Sequence, residues 1–188
     1  MTNKLFKNAI KFTSNGRVRP ILAGLHFSED GNVYATNSHI ALVLESFNKS
    51  KADFVLDPKS LEQSEGKSYP SLTRLIPSQG THEVPFPVDT MKELVAYLKS
   101  FKKEYADLVF SDNCLKITIG SSEMKASINY SSSEPFKVSF STDYLLICMQ
   151  LFIDEKLDTT FRLTSPVRPC MFYTSEIKAL ITPIRRGQ

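Results

Sequence analysis

The first apolar periodicity along the chain is helical. In residues 3–12, Leu5, Phe6, Ala9, Ile10 and Phe12 fall on one side, while Lys4, Lys7 and Lys11 recur at three and four residues on the other. The pattern then turns strand-like. Residues 25–46, LHFSEDGNVYATNSHIALVLES, read as a run of strands with a turn at Glu29-Asp30-Gly31-Asn32, where Asp and Gly both tolerate positive φ. Residues 52–57, ADFVLD, close this first stretch. Residues 57–79 follow as a polar segment punctuated by Pro58, Gly66, Pro70 and Pro77, and read as a linker.

Beyond the linker one order of elements occurs twice. In residues 81–130, VPFPVD is a strand entering a helix. Thr90 and Glu93 fit a capping box, and Met91, Leu94, Val95, Leu98 and Phe101 continue at helical spacing. Three short strands follow: ADLVFS, CLKITIG and EMKASINY. In residues 136–186, FKVSFS again enters a helix, with Ser141 or Thr142 as its cap. Residues 144–152, YLLICMQLF, are apolar nearly all round, which predicts a helix buried on most of its surface. TTFRLTS, RPCMFYT and IKALITPIR are the closing strands. The order β-α-β-β-β thus appears twice, the opening of the chain reads as a partial third copy, and the fold class is α+β.

Composition narrows the function more than the fold. The chain has 188 residues, 41% of them hydrophobic, enough for one large or two small cored domains. No apolar run is long enough for a bilayer, and the opening MTNKLFKNAIKF lacks the pattern of a secretory signal, so a cytoplasmic protein is expected. The net charge of +3 permits contact with phosphates without demanding it. Cys114, Cys148 and Cys170 are far apart and form no CxxC pair, so they read as buried thiols rather than zinc ligands or disulfides. His26, His39 and His82 stand alone, without an HExxH, and neither a nucleotide-binding glycine loop nor a GxSxG is present. Ser38 and His39 are neighbours, but a hydrolytic triad needs spatial geometry that adjacency does not supply. The expectation is a protein that is not an enzyme, with no catalytic residue, no metal site and no cofactor.

Four segments, in order, resemble the bacterial-type DNA polymerase III beta sliding clamp family. Residues 19–27, RPILAGLHF, and 35–42, ATNSHIAL, resemble segments of that family's middle domain. Residues 69–77, YPSLTRLIP, resemble its linker between the middle and last domains. Residues 159–186, ending in Leu180, Ile181, Thr182, Pro183, Ile184 and Arg185, resemble its C-terminal end. The resemblance implies the DNA clamp (processivity) fold, with helices on one face of antiparallel sheets. Against the family pattern the chain is shortened: nothing matches the first domain, and residues 52–60 pass almost directly into the linker. Residues 1–67 then correspond to a partial clamp domain and 68–188 to a complete one.

The resemblance further implies a groove that docks short peptides of replication proteins. Its walls carry over to Leu22, Thr36, His39, Ala41, Pro70, Arg74, Leu75, Leu180, Pro183, Ile184 and Arg185. Ala41 stands where the family usually has a larger aliphatic residue, and Thr182 where it usually has an apolar one. Double-stranded DNA, bound without sequence preference, would be met by Lys4, Lys7, Lys11, Arg17, Lys92, Lys99, Lys102 and Lys103, lysine charges suiting a protein that slides. The function implied is a sliding-clamp-like replication accessory, phage or mobile-element encoded, that tethers a polymerase and assembles as a homo-oligomer with a clamp loader. The alternative is a clamp mimic that does not encircle DNA and competes for clamp-binding peptides.

Overall fold

A computed structural model of the chain describes residues 1–16, 19–80, 82–101 and 104–185. It opens with helix α1 (Asn3–Ile10), then β1 (Leu25–Phe27), β2 (Val33–Thr36), β3 (Ile40–Leu44), β4 (Phe54–Leu56) and β5 (Gln63–Glu65). The next elements are β6 (His82–Phe86), α2 (Val88–Leu98), β7 (Tyr105–Ser111), β8 (Cys114–Ile119) and β9 (Ser122–Ser127). The last are β10 (Phe136–Ser141), α3 (Thr142–Glu155), β11 (Thr159–Leu163), β12 (Cys170–Tyr173) and β13 (Ile177–Ile181). The repeated β-α-β-β-β order is present as expected from the sequence.

Strand pairing exchanges the first strand of each repeat. β6 pairs with β11 of the later repeat, while β10 pairs back with β7 of the earlier one. Two antiparallel sheets result among the described residues: a nine-stranded one, β5-β4-β1-β2-β3-β13-β12-β11-β6, and a four-stranded one, β10-β7-β8-β9. The long sheet runs from the opening stretch into the last repeat through β3 and β13, with Ala41 opposite Leu180 and Leu42 opposite Ala179.

Helix order explains the apolar surface of residues 144–152. α3 contacts α1 on one side and α2 on the other, as well as β10 and β13 beneath it. Leu145, Cys148, Met149, Leu151 and Phe152 are buried, and Tyr144, Leu146, Ile147 and Ile153 pack against the same core. α1 and α2 keep charged outer faces, whereas the charges of α3, Asp143, Asp154 and Glu155, sit at its two ends. Beneath the helices lies an aromatic cluster, in which Phe161 and Phe172 stack at 4.0 Å between centroids and Phe86 meets both at 5.7 and 5.6 Å.

Several local expectations give way to tertiary ones. Thr90 does not cap α2. The helix begins two residues earlier, at Val88, whose amide donates to the Asp158 carboxylate at 2.8 Å, so a side chain seventy residues away takes the capping role. At α3, Ser141 occupies the cap position without a side-chain bond, while the Thr142 hydroxyl exchanges hydrogen bonds with the backbone of Glu104. In the β1–β2 turn only Gly31 has positive φ, at +89°, because the loop closes through bonds between Ser28 and both Gly31 and Asn32. Cys148 and Cys170 are buried, but Cys114 on β8 is only half-buried. Residues 57–79 are not a free linker: they contribute edge strand β5 and two short 3-10 turns, Gly66–Ser68 and Thr73–Leu75.

Phe161→Ala should cost about 3–5 kcal/mol of stability, because the stacked cluster leaves a cavity that its neighbours cannot fill. Urea unfolding followed by circular dichroism measures it.

Candidate functional site

The outer face of the long sheet is apolar at its centre. β3 is buried at every position because its alternate side chains serve two cores. Ile40, Leu42 and Leu44 face the helices, while Ala41 and Val43 join Leu180, Met171, Leu22 and Tyr34 on the outer side. Residues 57–79 cover part of this outer patch: Tyr69 and Leu72 are buried on it, and Ile76 packs at its margin. The segment is therefore a strap, held by the hydrophobic effect and not by chain connectivity alone.

Two ends pin the strap. At one end Gly66 lies against Asp53, where a Cβ would strike the carboxylate. The Asp53 carboxylate in turn accepts from the ring Nε2 of His26 at 2.7 Å, and His26 stacks on Tyr69 at 4.7 Å. At the other end the Arg162 guanidinium donates to the Pro77 carbonyl at 2.6 Å and to Glu83 at 2.6 Å, and lies over the Tyr173 ring. Burial works to lower the pKa of Arg162, but Glu83 and Tyr173 outweigh it and raise it, so the cation persists.

Between the strap and the chain's last strand an apolar cavity of about 380 Å³ remains open. Eight residues carried over from the resemblance line it together: Leu22, Thr36, His39, Ala41, Pro70, Arg74, Leu75 and Leu180. The other three do not. Pro183 is buried, Arg185 is exposed, and Ile184 donates its amide to Ser139 of β10 at 2.8 Å, which leads the chain away from the cavity. Seven lining residues were not among the assigned walls, Arg19, Ser38, Ile40, Ser71, Leu72, Pro169 and Thr182, of which Thr182 was noted only as a departure from the family pattern. All seven lie inside the four family-like segments, so membership of those segments was the available signal. Pro169 is brought in by the turn between β11 and β12.

The β2–β3 turn presents His39 at the rim. Asn37 accepts hydrogen bonds from the amides of His39 and Ile40 at 2.9 and 3.0 Å, and Thr36 accepts from the Ser38 amide at 3.1 Å. These bonds hold Ser38 at φ +79°, a conformation uncommon outside glycine. His39 then stacks on Tyr144 of α3 at 5.4 Å, and its carbonyl accepts from the Thr182 amide at 3.0 Å.

A second, polar cavity of about 280 Å³ lies behind the strap and shares Pro70, Ser71 and Leu72 with the first. Here the Tyr34 hydroxyl donates to Asp30 at 2.6 Å. Burial works to raise the pKa of Asp30, but the bonds from Tyr34, the Asn32 amide and Ser28 outweigh it and lower it. Burial, with the Asp30 bond adding to it, pushes the Tyr34 hydroxyl up to about 12.

Of the residues assigned to DNA, Lys4, Lys7 and Lys11 are exposed on α1, and Lys92 and Lys99 are exposed on and just after α2. Lys4 lies 3.8 Å from Asp154 of α3, and Lys92 is paired with Asp89 at 2.9 Å. Arg17, Lys102 and Lys103 lie outside the described residues. Among the described residues, no helix is long and apolar enough to cross a membrane.

No family model and no curated protein matches the chain. Solved structures do. The DNA polymerase III beta of Caulobacter crescentus superposes with a TM-score of 0.78 at 15% identity, over 97% of this chain and 63% of that one. The DNA polymerase sliding clamp of Bacillus subtilis gives 0.75 at 18%, over 98% and 62%. The Helicobacter pylori beta clamp, solved bound to a DNA ligase peptide, gives 0.73 at 13%, over 97% and 62%. The chain is therefore built on the DNA-clamp fold. More narrowly, its architecture is that of the bacterial DNA polymerase III beta sliding clamps, of whose length it spans about 63%.

Tyr34→Phe should lower stability at neutral pH by an amount that shrinks as pH falls. Asp30 is lowered in the fold, so its contribution is present above its ordinary pKa of 3.8 and lost as pH drops through the folded value. Tyr34 is raised, so its own contribution is present below its ordinary 10.0 and lost as pH climbs through about 12, a loss the phenylalanine variant lacks. Thermal unfolding of both proteins across pH reads the difference.

Proposed function

We propose that this protein is a sliding-clamp-like accessory of DNA replication, in which the apolar groove captures short peptides of a polymerase or other partner. The observation that carries this reading is the cavity itself. Eight residues from four separated segments converge on one open apolar hollow beside an otherwise covered sheet face. Burying one large apolar side chain there is worth ~1.5–3 kcal/mol, enough for a handle of micromolar strength when two or three such groups dock. A clamp neighbour carrying a DNA ligase peptide supports a peptide as the occupant. The role is tethering, which raises local concentration and needs no chemistry on the partner.

Residues 1–67 are read as a partial clamp domain and 68–188 as a complete one. In support, β4 pairs with β1 as β10 pairs with β7, so β4 holds the place of a second repeat's first strand, with no helix after it. The exposed lysines of α1 are the proposed contact to duplex DNA, salt-sensitive and independent of sequence. A homo-oligomer, a clamp loader, a cytoplasmic location and a phage or mobile-element source belong to the same reading. Mass in solution separates its two forms: a closed oligomer of fixed size supports an encircling clamp, whereas a monomer favours the mimic that competes for peptides.

Leu75 is the cleaner probe of the groove, since it lines the cavity yet is 49% exposed, whereas Leu180 is buried and paired into the sheet. A labelled Gln-Leu-Ser-Leu-Phe peptide should bind with a Kd of about micromolar order, and Leu75→Asp should weaken it at least ~tenfold. Lys4/Lys7/Lys11→Ala should leave peptide binding intact while reducing duplex affinity and its salt dependence. Fluorescence anisotropy measures both, and parallel loss in the two variants would overturn the assignment.

A further inference from the structure

We infer that the groove selects acidic peptides, in which carboxylate side chains follow the apolar anchor; this rests on the groove being a peptide site. The cavity is lined by Arg19, Arg74 and His39, and by no Asp or Glu. A smaller hollow continues from its mouth toward the turn after α1, sharing Arg19 and His39, and it too is lined by no acidic residue. The carboxylates of this region, Glu29, Asp30 and Asp53, line the cavity on the far side of the strap. The two sides of the strap thus differ in charge: the open groove is lined by cations without a carboxylate, whereas the far side sets its three carboxylates beside Lys67 and His26.

The two arginines are also unneutralised. Among the described residues neither Arg19 nor Arg74 side chain has a carboxylate partner, whereas Arg162 is paired with Glu83 and Lys178 with Glu45. Both are exposed at the rim of an apolar floor formed by Leu22, Ala41 and Leu180. Arg19 begins the 3-10 turn Pro20–Ala23, which buries Leu22 and leaves the guanidinium outside. A guanidinium beside an apolar hollow matches a ligand with an apolar anchor and a neighbouring carboxylate, because the planar fork takes both carboxylate oxygens while the anchor fills the floor. A phosphate backbone would use the same charge but has nothing to place in the hollow, and the exposed lysines of α1 form a separate patch.

The test compares two acetylated, amidated and labelled peptides on the full chain: Gln-Leu-Ser-Leu-Phe-Gly-Gly and Gln-Leu-Ser-Leu-Phe-Glu-Glu. Anisotropy at low salt should show the acidic peptide binding about tenfold tighter. The margin should vanish in Arg19→Gln/Arg74→Gln, whose sites are exposed and whose fold circular dichroism verifies. It should shrink at about 1 M salt, where the screening length falls to about 3 Å. Equal affinity for both peptides overturns the acid preference while leaving the groove in place. No binding of either overturns the groove itself. A margin that survives in the double variant removes the arginines as its source, and loss of duplex binding in that variant with the margin unchanged assigns them to DNA instead.

Discussion

The pairing of β3 with β13 is the constraint on which the rest depends. It joins the opening stretch of the chain to its last strand and makes one sheet of both. The register sets Ala41 beside Leu180, and both point to the outer face, away from the helices. A shift of one residue would turn Ile40, Leu42 and Ile181 outward and empty the core beneath α3. Burial on the inner face therefore fixes which side chains form the outer floor. The groove follows from the same alternation that builds the core.

The outer face then poses a problem of its own. An apolar patch in the middle of a sheet is costly to leave in water, and the strap covers part of it with Tyr69, Leu72 and Ile76. Its ends are held by polar contacts that differ in kind, the His26–Asp53 pair beside Gly66 and the Arg162–Pro77 bond near β11. What the strap does not cover is the open cavity. Its width owes something to Ala41, where a longer side chain would fill part of the space between Leu22 and Leu180.

Charge is arranged around this covering layer. The helices present lysines on α1, whereas α3, packed between its neighbours, has no room for them. On the sheet side the strap divides a mouth whose charged residues are cations alone from a pocket where Glu29, Asp30 and Asp53 lie with Lys67 and His26. The weak overall charge of +3 conceals this sorting, because opposite signs cancel in a sum but not across a few ångströms.

The sequence by itself determined the elements and their repetition. Helical spacing in residues 3–12 and 91–101, period-two strands elsewhere and an all-round apolar helix at 144–152 are local patterns, set by which face each residue must bury. The family-like segments also contained the residues that line the cavity. Tertiary structure alone decided the exchange of first strands between repeats, the capping of α2 by Asp158 in place of Thr90, and the strap where polarity suggested a linker. It also turned Ile184 toward β10 and brought Pro169 to the rim. Each of these joins residues far apart in the chain. A partner across such a distance leaves no periodicity to read, and a polar segment shows what it covers only once the surface beneath it has formed.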